Sequence, residues 1–468
     1  MNNNWIKYSF IAFAALFLQS CLSVQEYKRA EDIEKEAYYR TDRLPQDSVS
    51  IADFSYTEIF KDSLLQKYIS QGLENNLDIR IALQNIATSE AYVRQSKAAY
   101  LPTLSGGPNV SWGTPSLNSQ QGMMLDERKW STQYGLGINS SWEADIWGKL
   151  KSAEKAQYAM YLQSVAGHQA VKSRIVSGIA SLYFQLLALD EQHRTTSESI
   201  KLQLESLETT KALKEAGQVT EVAVQQTDAL ALNYQARLVE IENSIKIVEN
   251  QLSYLMGETP QAIKRTNIES QFIPAELKTG FAVDLLRNRP DVMAAEYALI
   301  SAFEQTQVAR LSMYPSLNLT LGGGLQSLEI EDFFSASSFF ANIAGGLTQP
   351  IFQQRRLKTQ KEVSEIAQEA ALLDFKKSLL SASSEVSNAL QIYGSQDEII
   401  ALKTKEYENY TRATEYSQEL LNYGMANYLE VITAQQSALN AKLAEINAKY
   451  TKLTAMVDLY SALGGGWR

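Results

Sequence analysis

The chain is poor in the residues that staple small folds or hold metals: one cysteine, two histidines and nine prolines in 468 residues. A single cysteine excludes an intrachain disulfide framework. His168 and His193 lie in long helix-forming stretches without cysteine partners, so neither a metal nor any other cofactor is expected. There is no nucleophile constellation and no phosphate-cradling glycine loop; the glycines at 322–324 and 345–346 fall in strand-like sequence. These absences argue against an enzyme. Beyond the first 20 residues no run reaches 18 apolar residues, which excludes a bilayer-spanning helix. Basic runs are missing too. The formal net charge is −10, or −11 without residues 1–20, whose one charge is Lys7, so nucleic acid is not an expected partner.

What the chain does have is helix, in uncommon lengths. Between Leu150 and Leu213 there is no proline, the only glycines are Gly167 and Gly178, and Ala, Gln, Glu, Lys and Leu abound. About 64 residues at roughly 1.5 Å each make a rod of about 95 Å, which would suit a span between two membranes. Glu215-Ala216-Gly217-Gln218 then reverses the chain, and Thr220 is placed to cap a return helix. That helix carries an apolar stripe, Tyr234, Leu238, Ile241, Ile245, Val248, Leu252 and Leu255, which calls for a partner helix.

The design recurs. Arg356 to Leu421 is again free of proline, Tyr423-Gly424 marks a reversal, and Leu439, Leu443, Ile446, Tyr450, Leu453, Val457 and Tyr460 form a second stripe. Gly217 and Gly424 are 207 positions apart, as are Gly257 and Gly464; Asp78 and Asp291 are 213 apart, as are Pro102 and Pro315. Two constant offsets indicate a duplication. The stripes are offset by 205, which predicts that the copies pack different faces.

Residues 102–143 switch to period two. Leu104, Gly106, Pro108, Val110 and Trp112 alternate with Thr103, Ser105, Gly107, Asn109 and Ser111, and Tyr134, Leu136, Ile138, Ser140 and Trp142 make a second run. Leu317, Leu319 and Leu321, then Phe339, Ala341, Ile343, Gly345 and Leu347, repeat the pattern in the second copy. Each run is about as long as a tilted strand that crosses a bilayer. The intervening positions are Ser, Thr, Asn and Gly, as suits a water-filled lumen, and Trp112, Trp142, Phe339 and Phe340 read as an interfacial girdle. Pro108 removes one ladder donor. The competing reading is a small soluble sheet packed on the helices. Four strands in lipid cannot close a barrel, and their open edges would strand backbone groups, so the membrane reading requires self-assembly.

At the N-terminus Lys7, the apolar Phe10–Leu18 and Leu18-Gln19-Ser20-Cys21 read as a secretory signal ending in a lipobox-like sequence, with Cys21 as the lipid anchor. The expected division is 1–20 signal peptide, 21–76 lipidated strap and short helix, 77–257 first repeat with hairpin 102–143, 258–289 linker, and 290–468 second repeat with hairpin 315–349. Arg289-Pro290-Asp291 opens the second copy in a structural role: proline suits a first helical turn, and the acid beside it complements the helix dipole.

Several signatures occur in order within this frame: the lipobox with Tyr27-Lys28-Arg29, Asp145-Ile146-Trp147-Gly148-Lys149-Leu150 after the second strand, Arg289-Pro290-Asp291-Val292, Gln349-Pro350-Ile351-Phe352, and the ending Leu463-Gly464-Gly465-Gly466-Trp467. Together they resemble the TolC-type outer-membrane efflux family, in its lipoprotein branch that serves resistance-nodulation-division pumps. The resemblance implies a mainly α chain with membrane β. Homotrimers would form a 12-stranded β-barrel continuing into a periplasmic α-helical barrel. It implies an exit duct anchored in the lipid bilayer, working with a periplasmic adaptor and an inner-membrane pump. It also implies a gate where the turns converge, at Gly217, Thr220 and Glu221 in one copy and Tyr423, Gly424, Asn427 and Glu430 in the other. Glu430 matches the family's acidic position; the first copy has Ala223 there with Glu221 nearby, so the number of acidic rings stays open. The alternative is a periplasmic adaptor-type lipoprotein that forms no pore.

Overall fold

The computed structural model describes residues 25–29, 50–119, 122–124, 126–272 and 285–468; Cys21 and most of the N-terminal strap lie outside them. In chain order the main elements are α1 (Ser63–Asn75), α2 (Leu77–Ala98), β1 (Thr103–Gly113), β2 (Ser131–Ala144), α3 (Lys149–Glu215) and α4 (Glu221–Leu255). They continue as α5 (Pro290–Leu311), β3 (Ser316–Ser327), β4 (Phe339–Thr348), α6 (Arg356–Asn422) and α7 (Tyr428–Ala462). The helices match in pairs: α2 and α5 have 22 residues each, α3 and α6 have 67, and α4 and α7 have 35.

Local chemistry sets the ends. Gly217, Gly257, Gly424 and Gly464 follow α3, α4, α6 and α7, all at positive φ between 71° and 93°. Each closes its helix with the same pair of bonds, for example Gly217 N–H to Lys214 O at 2.9 Å and Gln218 N–H to Leu213 O at 2.9 Å. This satisfies carbonyls that the ending helix leaves open. Asn76 serves two helices. It ends α1, and its Oδ1 accepts from Asp78 N at 2.9 Å and Ile79 N at 3.2 Å to start α2.

Thr220 stands at the N-cap of α4, but its hydroxyl makes no cap bond, whereas Asn427 caps α7 through Leu429 N at 3.2 Å. The expectation of different packing faces is also corrected. Of the nine buried residues of α4, seven (Val224, Thr227, Tyr234, Ile241, Val248, Leu252 and Ser253) have buried counterparts 207 positions on in α7. Several of those counterparts are small: Ala434, Ala441, Ala448 and Ala455. The stripe of large apolar residues in α7 marks a second buried face, because alanine contributes little to such a stripe while packing as closely.

The chain groups into two compact units that cut across the duplication. One is built on Ala87–Leu162 and Tyr297–Leu373, and the other on Gln163–Glu296 and Asp374–Arg468 with 50–86. The first contains one four-stranded antiparallel sheet in the order β1-β2-β3-β4, so the two hairpins join through β2 and β3. The second holds the densest core, where α3 buries Ile175, Val176, Ile179, Tyr183 and Phe184 with Leu65 and Ile69 of α1. Phe60 lies edge-on to Phe184 at 6.2 Å and to Tyr460 at 5.9 Å, which ties α3 and α7 to the segment before α1.

Candidate channel-forming and gate surfaces

The register fixes which side chains share each face of the sheet. Rows such as Leu104–Ser140–Leu321–Ile343 and Pro108–Leu136–Leu325–Phe339 run across one face. Rows such as Thr103–Ser141–Thr320–Ala344 and Ser105–Asn139–Gly322–Asn342 run across the other. One face is therefore apolar and the other is amides, hydroxyls and glycines. Glu143 is the one charged residue in the four strands; it lies on the polar face, 2.6 Å from Lys149 Nζ.

Among the described residues no helix covers the apolar face. Ile343, Leu104, Val110 and Trp112 are 67–76 % exposed, and every residue of β4 is exposed. A contiguous uncharged apolar face of this kind would aggregate in water and suits lipid. This removes the soluble-sheet reading. Phe340 corrects the girdle assignment: strand side chains alternate, so with Phe339 on the apolar face Phe340 must stand on the polar one, level with Gly107, Gly137 and Gly324. Pro108 lies on β1, an edge strand, where its missing donor is tolerated.

The candidate gate residues belong to the two turns of the second unit. In the first turn, Gly217 reverses the chain and Lys214 forms an ion pair with Glu221, whose Oε1 also accepts from Gln225 Nε2 at 2.8 Å. The Lys214 hydrogen bond, then that of Gln225, holds the Glu221 carboxyl below the usual carboxylate range. In the second turn Tyr423 and Gly424 are exposed, Asn427 caps α7, and Glu430 is exposed with no ion pair among the described residues. Glu430 occupies the position of Ala223, which is fully buried in the first copy. One bond links the copies here: Tyr428 Oη donates to Gln226 Oε1 at 2.7 Å. Sequence reasoning missed Gln226, because nothing local announces a partner 202 residues away.

Arg289 is buried at the start of α5. It grips Asp291 through Nε at 3.0 Å and Nη2 at 2.6 Å, and its Nη1 reaches Glu385 at 2.6 Å and the Ala462 carbonyl at 3.0 Å. Burial alone would raise the Asp291 pKa, but the hydrogen bond and charge of Arg289 outweigh it and hold the carboxyl below its usual range. Pro290 is the first residue of α5. Asn76 of the first copy makes the matching contact, Nδ2 to the Leu255 carbonyl at 2.9 Å. The 213-residue offset already pairs Asn76 with Arg289; what sequence reasoning missed is that both reach the last carbonyl of a return helix.

A four-stranded sheet with one apolar and one polar face, in a chain with paired long helices, defines a subunit of a membrane channel. The model of the outer membrane efflux protein family matches residues 68–258 and 282–465, and the chain belongs to that family. It is 26% identical over 461 residues to the solvent efflux pump outer membrane protein SrpC of Pseudomonas putida, covering 97% of each chain. It is 26% identical over 458 residues to the cation efflux system protein CusC of Escherichia coli K12, covering 97% of this chain and 98% of that one. The open-state structure of the Neisseria gonorrhoeae outer membrane channel MtrE superposes with a TM-score of 0.82 at 25% identity, covering 96% and 99% of the two chains. The protein is thus an outer-membrane channel, the exit duct of a tripartite efflux system, and not a pore-less adaptor. Its relatives are channel proteins rather than enzymes.

Proposed function

We propose that three copies close their sheets into a single twelve-stranded barrel and conduct small molecules passively, with no chemistry of their own. The observation that carries this is the four-stranded sheet with an apolar face and two open edges. An open edge in lipid leaves backbone groups unpaired at several kcal/mol each. With an even number of antiparallel strands, β1 of one copy meets β4 of the next antiparallel, so three copies close without a mismatch. The long helices then line a periplasmic tunnel, and Cys21 carries acyl chains that add a second anchor.

The two turns form the periplasmic gate. Tyr428 and Gln226 latch the second helical pair to the first, and Glu430 supplies one acidic ring. Glu221 adds no second ring, because Lys214 neutralises it. Three Glu430 carboxylates about one axis attract cations. A periplasmic adaptor and an inner-membrane resistance-nodulation-division pump supply contact and energy. The pump selects the cargo, which fits relatives of equal identity being named for solvent and for cation efflux.

Purified protein in planar bilayers is expected to give cation-selective pores. Tyr428→Phe combined with Gln226→Leu should raise conductance severalfold, and Glu430→Gln should weaken cation selectivity. A protein that stays monomeric in detergent and conducts in none of these forms would overturn the proposal.

A further inference from the structure

Phe340 is the only aromatic side chain, and the only large apolar one, on the polar face of the sheet. Every other position there is Ser, Thr, Gly, Ala, Asn or Gln, apart from Glu143. Its row across the strands is Gly107–Gly137–Gly324–Phe340, so no side chain stands beside it. The ring reaches back along that row: a Cβ added to Gly137, two strands away, would lie 3.9 Å from the ring Cζ. On the strand between them, a Cβ on Gly324 would strike the Leu136 carbonyl. Phe340 nevertheless stays 37 % exposed, because the ring lies on bare backbone with its outer face open.

The neighbouring polar rows lie two residues along the strands, about 7 Å away, and are laid down in the same manner. Asn342 and Asn139 converge over Gly322: an added Cβ there would strike the Asn342 amide and come within 3.1 Å of Asn139 Oδ1. On the other side of the phenyl row, Asn109 lies over Gly135. Among the described residues, neither the Asn139 nor the Asn342 side chain makes a hydrogen bond. An open aromatic face thus stands beside two amides free to donate and accept. No charged residue occurs in these three rows. A flat ring gains from stacking on a phenyl face, and a saturated ring of the same size does not.

We propose that Phe340, with Asn139 and Asn342, is a docking platform for a flat, uncharged aromatic solute that stacks on the phenyl ring and hydrogen-bonds an amide through a substituent on its edge. This rests on the reading of the polar face as the wall of the conducting path, where passing solutes come within reach of it.

The test uses the full chain in nanodiscs, titrated by saturation-transfer NMR with benzamide and with cyclohexanecarboxamide, which shares the amide but lacks the flat ring. Empty nanodiscs correct for partition into lipid. Benzamide is expected to bind saturably and about threefold or more tighter, the difference ring stacking makes. Phe340→Leu, which keeps an apolar cover over the glycines, should erase that preference, and Asn342→Ala should weaken both probes alike. A ring that merely shields strand glycines predicts equal affinities in the wild type. If Phe340→Leu forms no trimers, the wild-type comparison decides alone. Equal wild-type affinities, or a benzamide preference unaltered by Phe340→Leu, would overturn the platform while trimers and cation-selective pores leave the duct standing. A monomer that conducts nothing would overturn both.

Discussion

The two turns and the two junctions of the second unit use the same glycine device and put it to opposite ends. All four glycines sit at positive φ and close their helices with the same bonds. At the turns, a Cβ added to Gly217 or Gly424 would meet nothing within 4 Å. At the junctions, a Cβ on Gly257 would lie 2.6 Å from the Asn75 carbonyl oxygen, and one on Gly464 2.5 Å from the Asn288 carbonyl carbon. The turns are thus held only by their own hydrogen bonds and a few side chains, while the junctions are jammed backbone against backbone. One local code gives an open turn and a jammed junction, and the surroundings decide which.

That contrast is open to direct attack. Gly257→Ala and Gly464→Ala combine a backbone clash with an unfavourable φ and should destabilise by about 3 kcal/mol or more; urea unfolding of the purified protein measures it. If they cost no more than the turn variants, the jammed junction is a misreading. Next in size is the pair that differs between copies. Arg289→Ala leaves Asp291, Glu385 and the Ala462 carbonyl without their partner and should cost about 2–3 kcal/mol, against about 1 kcal/mol for Asn76→Ala, which loses neutral bonds. Equal shifts in the urea midpoint would show that the ion pairs add nothing.

Gly217→Ala and Gly424→Ala carry the φ penalty alone, about 1 kcal/mol, and should shift the unfolding midpoint about a third as far as the junction variants. The smallest effect is acid dependence. The Asp291 pKa is lowered by folding, so its contribution is present above the unfolded value near pH 4 and is lost as pH falls through the lower folded value. Asp291→Asn should flatten the decline of stability in that acid range. A decline of unchanged slope would place the sensitivity elsewhere.

The helices and strands were legible because their signals are local and redundant. Sixty-odd residues without proline, closed by Gly217 or Gly424, leave the backbone few alternatives to helix, and strict alternation from Leu104 to Trp112 leaves few to strand. Copy-specific chemistry was less legible. Gly148 and Arg355 hold equivalent positions before α3 and α6, both at positive φ, yet only the glycine signals that conformation in sequence. The girdle assignment of Phe340 failed through ignoring its neighbour: two adjacent phenylalanines in a strand cannot share a face. The packing face of α7 was missed because its alanines carry no apolar signal. Of the candidate gate residues, Glu221 and Glu430 both sit in the first turn of their helices, two register positions apart. The Lys214 and Gln225 side chains that engage Glu221 separate them further.

By itself the sequence determined the duplicated series of elements, the helix lengths and the segregation of polar from apolar strand faces. Each depends on residues close together in the chain, through backbone propensity and side-chain period. The tertiary structure decided that the two hairpins form one sheet through β2 and β3, that Asn76 and Arg289 anchor the ends of the return helices, and that one turn's acid is neutralised while the other's is free. The first two outcomes join residues 173 or more positions apart and the third joins Lys214 to Glu221 across a turn, and only folding brings such groups within reach of a hydrogen bond or an ion pair.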